Sequence, residues 1–144
     1  TLTYNCINRH ISRVVRTRMV SATSPWANDP TILEAKTHLV PISHGEGRII
    51  ISDELAKDLF AKGQVYTQYV TEEGVPVMSE PDNPNGSMFA IEGITSLDGR
   101  ILGKMGHSER TIGALANGKS DSLLKNISGD NCQNLFAAGV RYFN

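Results

Sequence analysis

The stretch that decides the fold is residues 88–105, MFAIEGITSLDGRILGKM. Two apolar runs, residues 88–95 and 99–105, flank Leu97-Asp98-Gly99-Arg100. An Asp-Gly pair between apolar runs is a strong signal for a tight turn between antiparallel strands. The sequence therefore predicts a β-hairpin whose second strand ends near residue 105.

Directly after this hairpin comes Gly106-His107-Ser108-Glu109-Arg110. Side chains alternate along extended backbone, so His107 and Glu109 can point the same way at the strand end. An imidazole oriented by a carboxylate is the base-and-orienter part of a nucleophilic triad. The same spacing also fits a strand-end histidine beside a solvated glutamate, and no obvious nucleophile accompanies the pair.

Further strand patterns, rich in β-branched and apolar residues, lie at residues 13–20, 38–43, 48–51 and 65–70. Pro41 argues against a central, fully paired position for residues 38–43. Ser52 can cap a helix that ends at Gly63 and carries an apolar stripe, formed by Leu55, Leu59 and Phe60.

The last helix is predicted to start at Asp130, with Gln133 completing a capping box. Its apolar face would comprise residues 132, 135, 136, 139, 140 and 143. Residues 111–129 carry weak signals and are interpreted as a loop with a short helix. Strands mixed with amphipathic helices predict an α/β layered domain with a β-hairpin.

Composition sets broad limits on function. The 144 residues suffice for one domain, and a net charge of -1 gives no electrostatic reason for binding nucleic acid or an anionic membrane. No apolar stretch is long enough to span a bilayer. Two cysteines do not form a disulfide framework, which favours a reducing, cytoplasmic location. The four scattered histidines show no metal-ligand spacing, so no metal site is expected.

Two further motifs could take part in a site. Ser43-His44-Gly45-Glu46-Gly47-Arg48 has two glycines that let backbone approach a ligand, and its amides could bind a carboxylate; a plain turn between strands explains it equally. Asn83-Pro84-Asn85-Gly86-Ser87 is a tight turn whose side chains could hold a neighbouring loop.

In their order along the chain, the segments 41–48, 83–87 and 98–110 resemble the glutamine amidotransferase domain of phosphoribosylformylglycinamidine synthase. The resemblance implies a partial flavodoxin-like class I amidotransferase fold. It also implies an enzyme that supplies ammonia from glutamine to a purine-pathway ligase. His107 and Glu109 match the family's catalytic histidine and glutamate. Ser43, His44 and Gly45 match the segment whose backbone holds the glutamine α-carboxylate.

The family's nucleophilic cysteine lies in a Gly-x-Cys-x-Gly-Cys-Gln elbow, which this chain lacks. We therefore expect residues 1–144 to be the C-terminal part of one amidotransferase domain, without its N-terminal strands and inactive alone. The expected partners are glutamine, the remainder of the domain and the synthase domain. No cofactor is expected here, whereas the full synthase would use ATP and Mg²⁺. The rival interpretations are a non-catalytic binding or scaffold module and the amidotransferase of another synthase.

Overall fold

The computed structural model describes residues 1–110 and 133–144. In these residues the strands are β1 (Leu2–Tyr4), β2 (Ile11–Met19), β3 (His38–His44), β4 (Glu46–Ile49), β5 (Val65–Tyr69), β6 (Ile91–Thr95) and β7 (Leu102–Lys104). The α-helices are α1 (Pro30–Leu33), α2 (Asp53–Ala61) and α3 (Leu135–Phe143), and 3-10 turns occupy Pro25–Ala27 and Met88–Ala90. The predictions for residues 111–129, Asp130 and Cys132 lie outside the described part.

Within residues 1–110 and 133–144, the main sheet has five strands in the order β3-β2-β5-β6-β7, and a separate pair joins β1 to β4. Each of these pairings is antiparallel. The mixed α/β class predicted from the sequence is confirmed. The flavodoxin-like arrangement is not seen among the described strands, since that fold is built on parallel pairing.

The predicted hairpin is confirmed as β6 and β7, with Thr95 opposite Leu102. Gly99 has a φ of 73°, a left-handed conformation that glycine adopts without steric cost. Asp98 Oδ1 accepts a hydrogen bond from the Arg100 amide and so stabilises the turn. The second strand ends at Lys104, one residue before the predicted end.

The main sheet curls until its two edges meet. Gly106, just past β7, forms an isolated antiparallel bridge with Ile42 of β3, and the His107 amide donates to Pro41 O at 2.8 Å. As Pro41 predicts, β3 is an edge strand. The curled sheet encloses an apolar cluster of Ile11, Val15, Val40, Ile42, Tyr69 and Ala90. This closure brings the segment after the hairpin against the end of β3.

Three details differ from the sequence prediction. The strand predicted at residues 48–51 is β4, which spans 46–49 and pairs with β1 outside the main sheet. Helix α2 has the predicted Ser52 cap. Its predicted apolar stripe is less buried than expected: Leu55 is 46% exposed, and Ala56 is the buried residue of the helix.

The third difference concerns the last helix. Helix α3 is capped by Asn134, whose Oδ1 accepts from the Ala137 amide, and it therefore starts later than the predicted capping box. Gln133 lies before the helix and is buried. Phe136 and Val140 of the predicted apolar face are exposed, so α3 packs through a narrower strip than its sequence indicates.

Candidate active site

The two residues predicted to be catalytic are in contact. His107 Nδ1 lies 2.7 Å from Glu109 Oε1, and both side chains are partly exposed. The expected cause of this contact was wrong, because residues 108–110 form a helical turn rather than extended strand. The turn places Glu109 beside the ring of His107, the residue from which the turn starts.

The pair has a defined protonation pattern. Desolvation alone would raise the pKa of Glu109, but hydrogen bonds from its backbone and from His107 outweigh it and lower the pKa overall. An ionised carboxylate only accepts hydrogen bonds, so Nδ1 of His107 carries the proton of that bond. The lone pair of a neutral ring is then on Nε2, the atom that can take a proton from a reacting group.

His107 and Glu109 line an open cleft of about 400 Å³. Trp26, Leu102, Leu135 and Phe136 contribute apolar surface to the same cleft, and residues 103, 104, 106 and 108 complete its lining. An imidazole on the rim of a partly apolar cleft can meet a reacting atom while the ligand is partly shielded from water.

The predicted carboxylate-binding segment lies at the end of β3. Ser43 and His44 are its last residues, and Gly45 forms the bend before β4. A Cβ added at Gly45 would meet no atom within 4 Å, so the bend is open to a ligand. Ser43 Oγ lies 3.3 Å from His10 Nε2, which adds a histidine that the sequence motifs did not select.

The buried side chain of Asn5 fixes this bend through hydrogen bonds. Its Nδ2 donates to Arg9 O and His44 O, and its Oδ1 faces the Gly47 amide at 3.2 Å and His44 Nδ1 at 3.0 Å. Because Asn5 Oδ1 only accepts, His44 Nδ1 is the donor. His44 Nε2 is then an acceptor, and it is buried without a hydrogen-bond partner among the residues that the structure describes.

Burial lowers the pKa of His44, and the charges of His10 and His107 lower it further. His44 is therefore held neutral near pH 7. The two predicted sets of site residues lie at one corner of the molecule, because the His107 amide donates to Pro41 O in β3, the strand that ends with Ser43 and His44. The bridge between Ile42 and Gly106 is the physical link between them.

Gly47 is the glycine of this motif that cannot carry a side chain. A Cβ there would lie 2.3 Å from two atoms of the His44 ring. The ring covers Gly47 closely, so the motif needs glycine at residue 47 for packing and has free space at Gly45.

The motif of residues 83–87 supports the same bend, as its Asn side chains predict. Asn85 Nδ2 donates to Gly47 O at 2.7 Å and to Tyr69 Oη at 3.0 Å. Ser87 Oγ donates to Gly47 O and accepts from the Ile49 amide. Asn5, Asn85 and Ser87 bond directly to this bend, and Asn83 bonds to the backbone of Ser87; we call these four buried side chains the amide cluster.

Sequence reasoning missed Asn5, His10, Glu92 and Lys104 as residues of this corner. Asn5 carries no motif of its own, and Glu92 and Lys104 stand in apolar runs whose pattern predicts only strands.

Cys6 is exposed, and Cys132 lies outside the described residues. In the described part, no group of three or more His, Cys, Asp or Glu side chains is arranged to hold a metal ion.

Comparison with known proteins assigns the chain to a class. Residues 1–143 match the CobB/CobQ-like glutamine amidotransferase domain family, and the chain belongs to that family. Within it, the chain is 35% identical to the phosphoribosylformylglycinamidine synthase subunit PurQ of Treponema denticola, over 99% of this chain and 52% of that protein. It is 31% identical to the subunit PurQ of Salinibacter ruber, over 89% of this chain and 55% of that protein.

The chain thus spans about half the length of the curated relatives it matches. A chain of the solved structure of PurLQS from Thermotoga maritima shares the fold, with a TM-score of 0.65 at 21% identity, over 100% of this chain and 53% of that chain. These relatives confirm the resemblance carried by the three motifs. Over the residues that the structure describes, no helix has the length and apolar character needed to cross a bilayer.

Proposed function

We propose that this chain carries the proton-transfer part of a glutaminase site in phosphoribosylformylglycinamidine synthase. The observation that carries the proposal is the 2.7 Å contact between His107 and Glu109 at an open cleft, in a member of a glutamine amidotransferase family. Relatives that bear the synthase subunit name support the choice of synthase.

In this proposal a cysteine thiol gives its proton to His107 Nε2, and the thiolate attacks the side-chain amide carbon of glutamine. The imidazolium then protonates the leaving nitrogen, the C–N bond breaks, and ammonia departs from a thioester. His107 next takes a proton from water, which hydrolyses the thioester to glutamate. Glu109 keeps the ring oriented and stabilises its charged form.

Ser43, His44 and Gly45 would hold the α-carboxylate of glutamine through backbone amides. The open space at Gly45 supports this role, and the amide cluster fixes the bend without filling it.

The remaining parts of the reaction belong to partners. We propose that the cysteine elbow and the missing flavodoxin-like strands lie in an N-terminal part of the same amidotransferase domain. The synthase domain would receive the ammonia and use ATP and Mg²⁺ to form formylglycinamidine ribonucleotide. No step assigned to the residues of this chain uses ATP or Mg²⁺.

The decisive experiment is His107→Ala in the intact synthase. We expect glutamine-dependent synthesis to fall by about 10²–10⁴-fold, because the proton-transfer group is lost. Synthesis from added ammonia should stay within roughly twofold, and Lys62→Ala, in an exposed ion pair, should change neither activity. Equal loss of both activities would place His107 in the fold or in the synthase step and contradict the proposal.

A second experiment tests the part played by the absent elbow. The 144-residue chain alone should release no ammonia from glutamine, because it has no activated nucleophile for His107 to deprotonate. Turnover that disappears in Cys6→Ala or Cys132→Ala would show that the nucleophile lies within this chain. An intact protein with no elbow cysteine would favour a non-catalytic binding module.

A further inference from the structure

A buried ion pair lies beneath the candidate active site. Glu92 of β6 is fully buried, and Lys104 at the end of β7 has a side chain only 7% exposed. Their charged atoms, Glu92 Oε1 and Lys104 Nζ, are 3.9 Å apart, too far for a close hydrogen bond. Each charge is therefore satisfied mainly by other groups, and one partner of each charge, Gly106 for Glu92 and Ser108 for Lys104, is a direct neighbour of His107.

Glu92 holds the residue before His107. Its Oε1 accepts from the Gly106 amide, and its Oε2 accepts from Thr67 Oγ1. Gly106 has no room for a side chain, since a Cβ would lie 2.9 Å from Glu92 Oε1 and 2.6 Å from Val40 Cγ2. The backbone at Gly106 is thus fixed between the carboxylate of β6 and the strand β3.

Lys104 holds the residue after His107. Its Nζ donates to Ser108 Oγ at 3.1 Å and to Gln133 Oε1 at 2.6 Å, and Ser108 Oγ also donates to Gln133 Oε1. Burial lowers the pKa of Lys104, although the carboxylates of Glu92 and Glu109 oppose the change. This network ties the turn between His107 and Glu109 to the residue that leads into α3.

We propose that Glu92 and Lys104 are positioning residues for His107, with Glu92 fixing the backbone before it and Lys104 fixing the turn after it. The inference rests on the proposed glutaminase function, and neither residue is assigned contact with the reacting atoms. Small displacements of a proton-transfer group reduce catalysis strongly, which gives a buried network of this kind a functional consequence.

A merely structural ion pair behaves differently. Buried ion pairs can be replaced by neutral side chains of similar volume with little or no loss of stability. The double substitution Glu92→Gln with Lys104→Met leaves no buried charge unpaired. The amide introduced at position 92 could still accept from the Gly106 amide, whereas the thioether introduced at position 104 cannot donate to Ser108. A structural role predicts a folded and fully active variant, and a positioning role predicts a folded variant with a defective site.

The test uses E92Q/K104M, S108A and the control D29N/R141M. The control neutralises another ion pair, between Arg141 of α3 and the buried Asp29. In the intact synthase we expect E92Q/K104M to lower glutamine-dependent kcat by about 10–100-fold with little change in KM. S108A should show a smaller loss of the same kind, and ammonia-dependent synthesis and the control variant should stay near wild type.

A second readout does not depend on the reaction. The lowered pKa of Glu109 arises partly from its contact with His107, and ¹³C NMR of its carboxyl group measures that pKa directly. In E92Q/K104M and in S108A, which leaves every charge in place, the pKa should rise towards the ordinary glutamate value, while the control keeps the wild-type titration. An unchanged Glu109 titration in E92Q/K104M and S108A overturns the inference. Failure of the His107→Ala test would overturn the proposed function but leave this NMR result to decide the role of the network.

Discussion

Two regions of this molecule hold the two loops of the candidate site, and they do so with different chemistry. The amide cluster fixes residues 43–49 with neutral side chains that bond to backbone groups. The buried pair of Glu92 and Lys104 fixes residues 106–108 with charges. Both regions are almost fully removed from water, so each loop is held by interactions that solvent cannot replace.

The two kinds of partner predict different losses of stability when one side chain is removed. Losing one neutral partner leaves an uncharged group unsatisfied, at a cost of about 1–3 kcal/mol. Losing one partner of a buried ion pair leaves a charge in a poorly polarisable interior, at a cost of about 3–5 kcal/mol. The ionic region should therefore be the more fragile to single substitutions and the more tolerant of a matched double substitution.

The largest expected effect is that of Lys104→Met alone. It leaves the Glu92 carboxylate buried without a cation and should lower the free energy of unfolding by about 3–5 kcal/mol. Urea unfolding followed by circular dichroism measures the loss. E92Q/K104M should recover most of it, and a double variant no more stable than K104M would contradict the comparison.

Asn85→Ala is expected to have the next largest effect. It removes the donor to Gly47 O and Tyr69 Oη and the acceptor of the Ser87 amide, all of them buried. We expect a loss of about 1–3 kcal/mol, because Tyr69 Oη loses its amide donor, whereas Gly47 O keeps Ser87 Oγ and the Ser87 amide keeps Asn83 Oδ1. The exposed Asn144→Ala is the control, and a loss below about 0.5 kcal/mol for N85A would show that the amide cluster is dispensable.

Smaller losses of stability, on average, are expected from substitutions at the two glycines of the bend, Gly45 and Gly47, and the two losses should differ from each other. Gly47→Ala places a Cβ against the His44 ring and should cost about 1–3 kcal/mol through overpacking. Gly45→Ala enters open space and should cost less than about 0.5 kcal/mol. Thermal melts of the two variants in parallel measure the difference, and equal losses would contradict the observed packing of His44 on Gly47.

The smallest expected effect is a pH dependence at Glu109. Its pKa is lowered in the folded state, so the stabilisation it gives is present above the ordinary glutamate pKa of about 4.3 and is lost as pH falls through the lower folded value. Because the pair is partly exposed, we expect only about 0.2–1 kcal/mol. Glu109→Gln should remove this part of the pH dependence, and a curve identical to wild type would show that the contact adds no stability.

Much of the fold could be predicted from short stretches of the sequence. The hairpin followed from Asp98-Gly99, the start of α2 from Ser52, and the edge position of β3 from Pro41. Each of these features depends on the conformational preferences of a few neighbouring residues. The pairing of β1 with β4 and the late start of α3 were not predicted, because they depend on distant partners.

The sequence by itself determined which family the chain resembles and which motif residues are candidates for a site, since motif identity and order are properties of the chain. Only the tertiary structure decided that Ser43 to Gly45 and His107 share one corner, because closure of the curled sheet at Ile42 and Gly106 brings them together. It also decided the surroundings of Asn5, Glu92 and Lys104. A buried polar side chain acquires its partners only when folding removes water from around it.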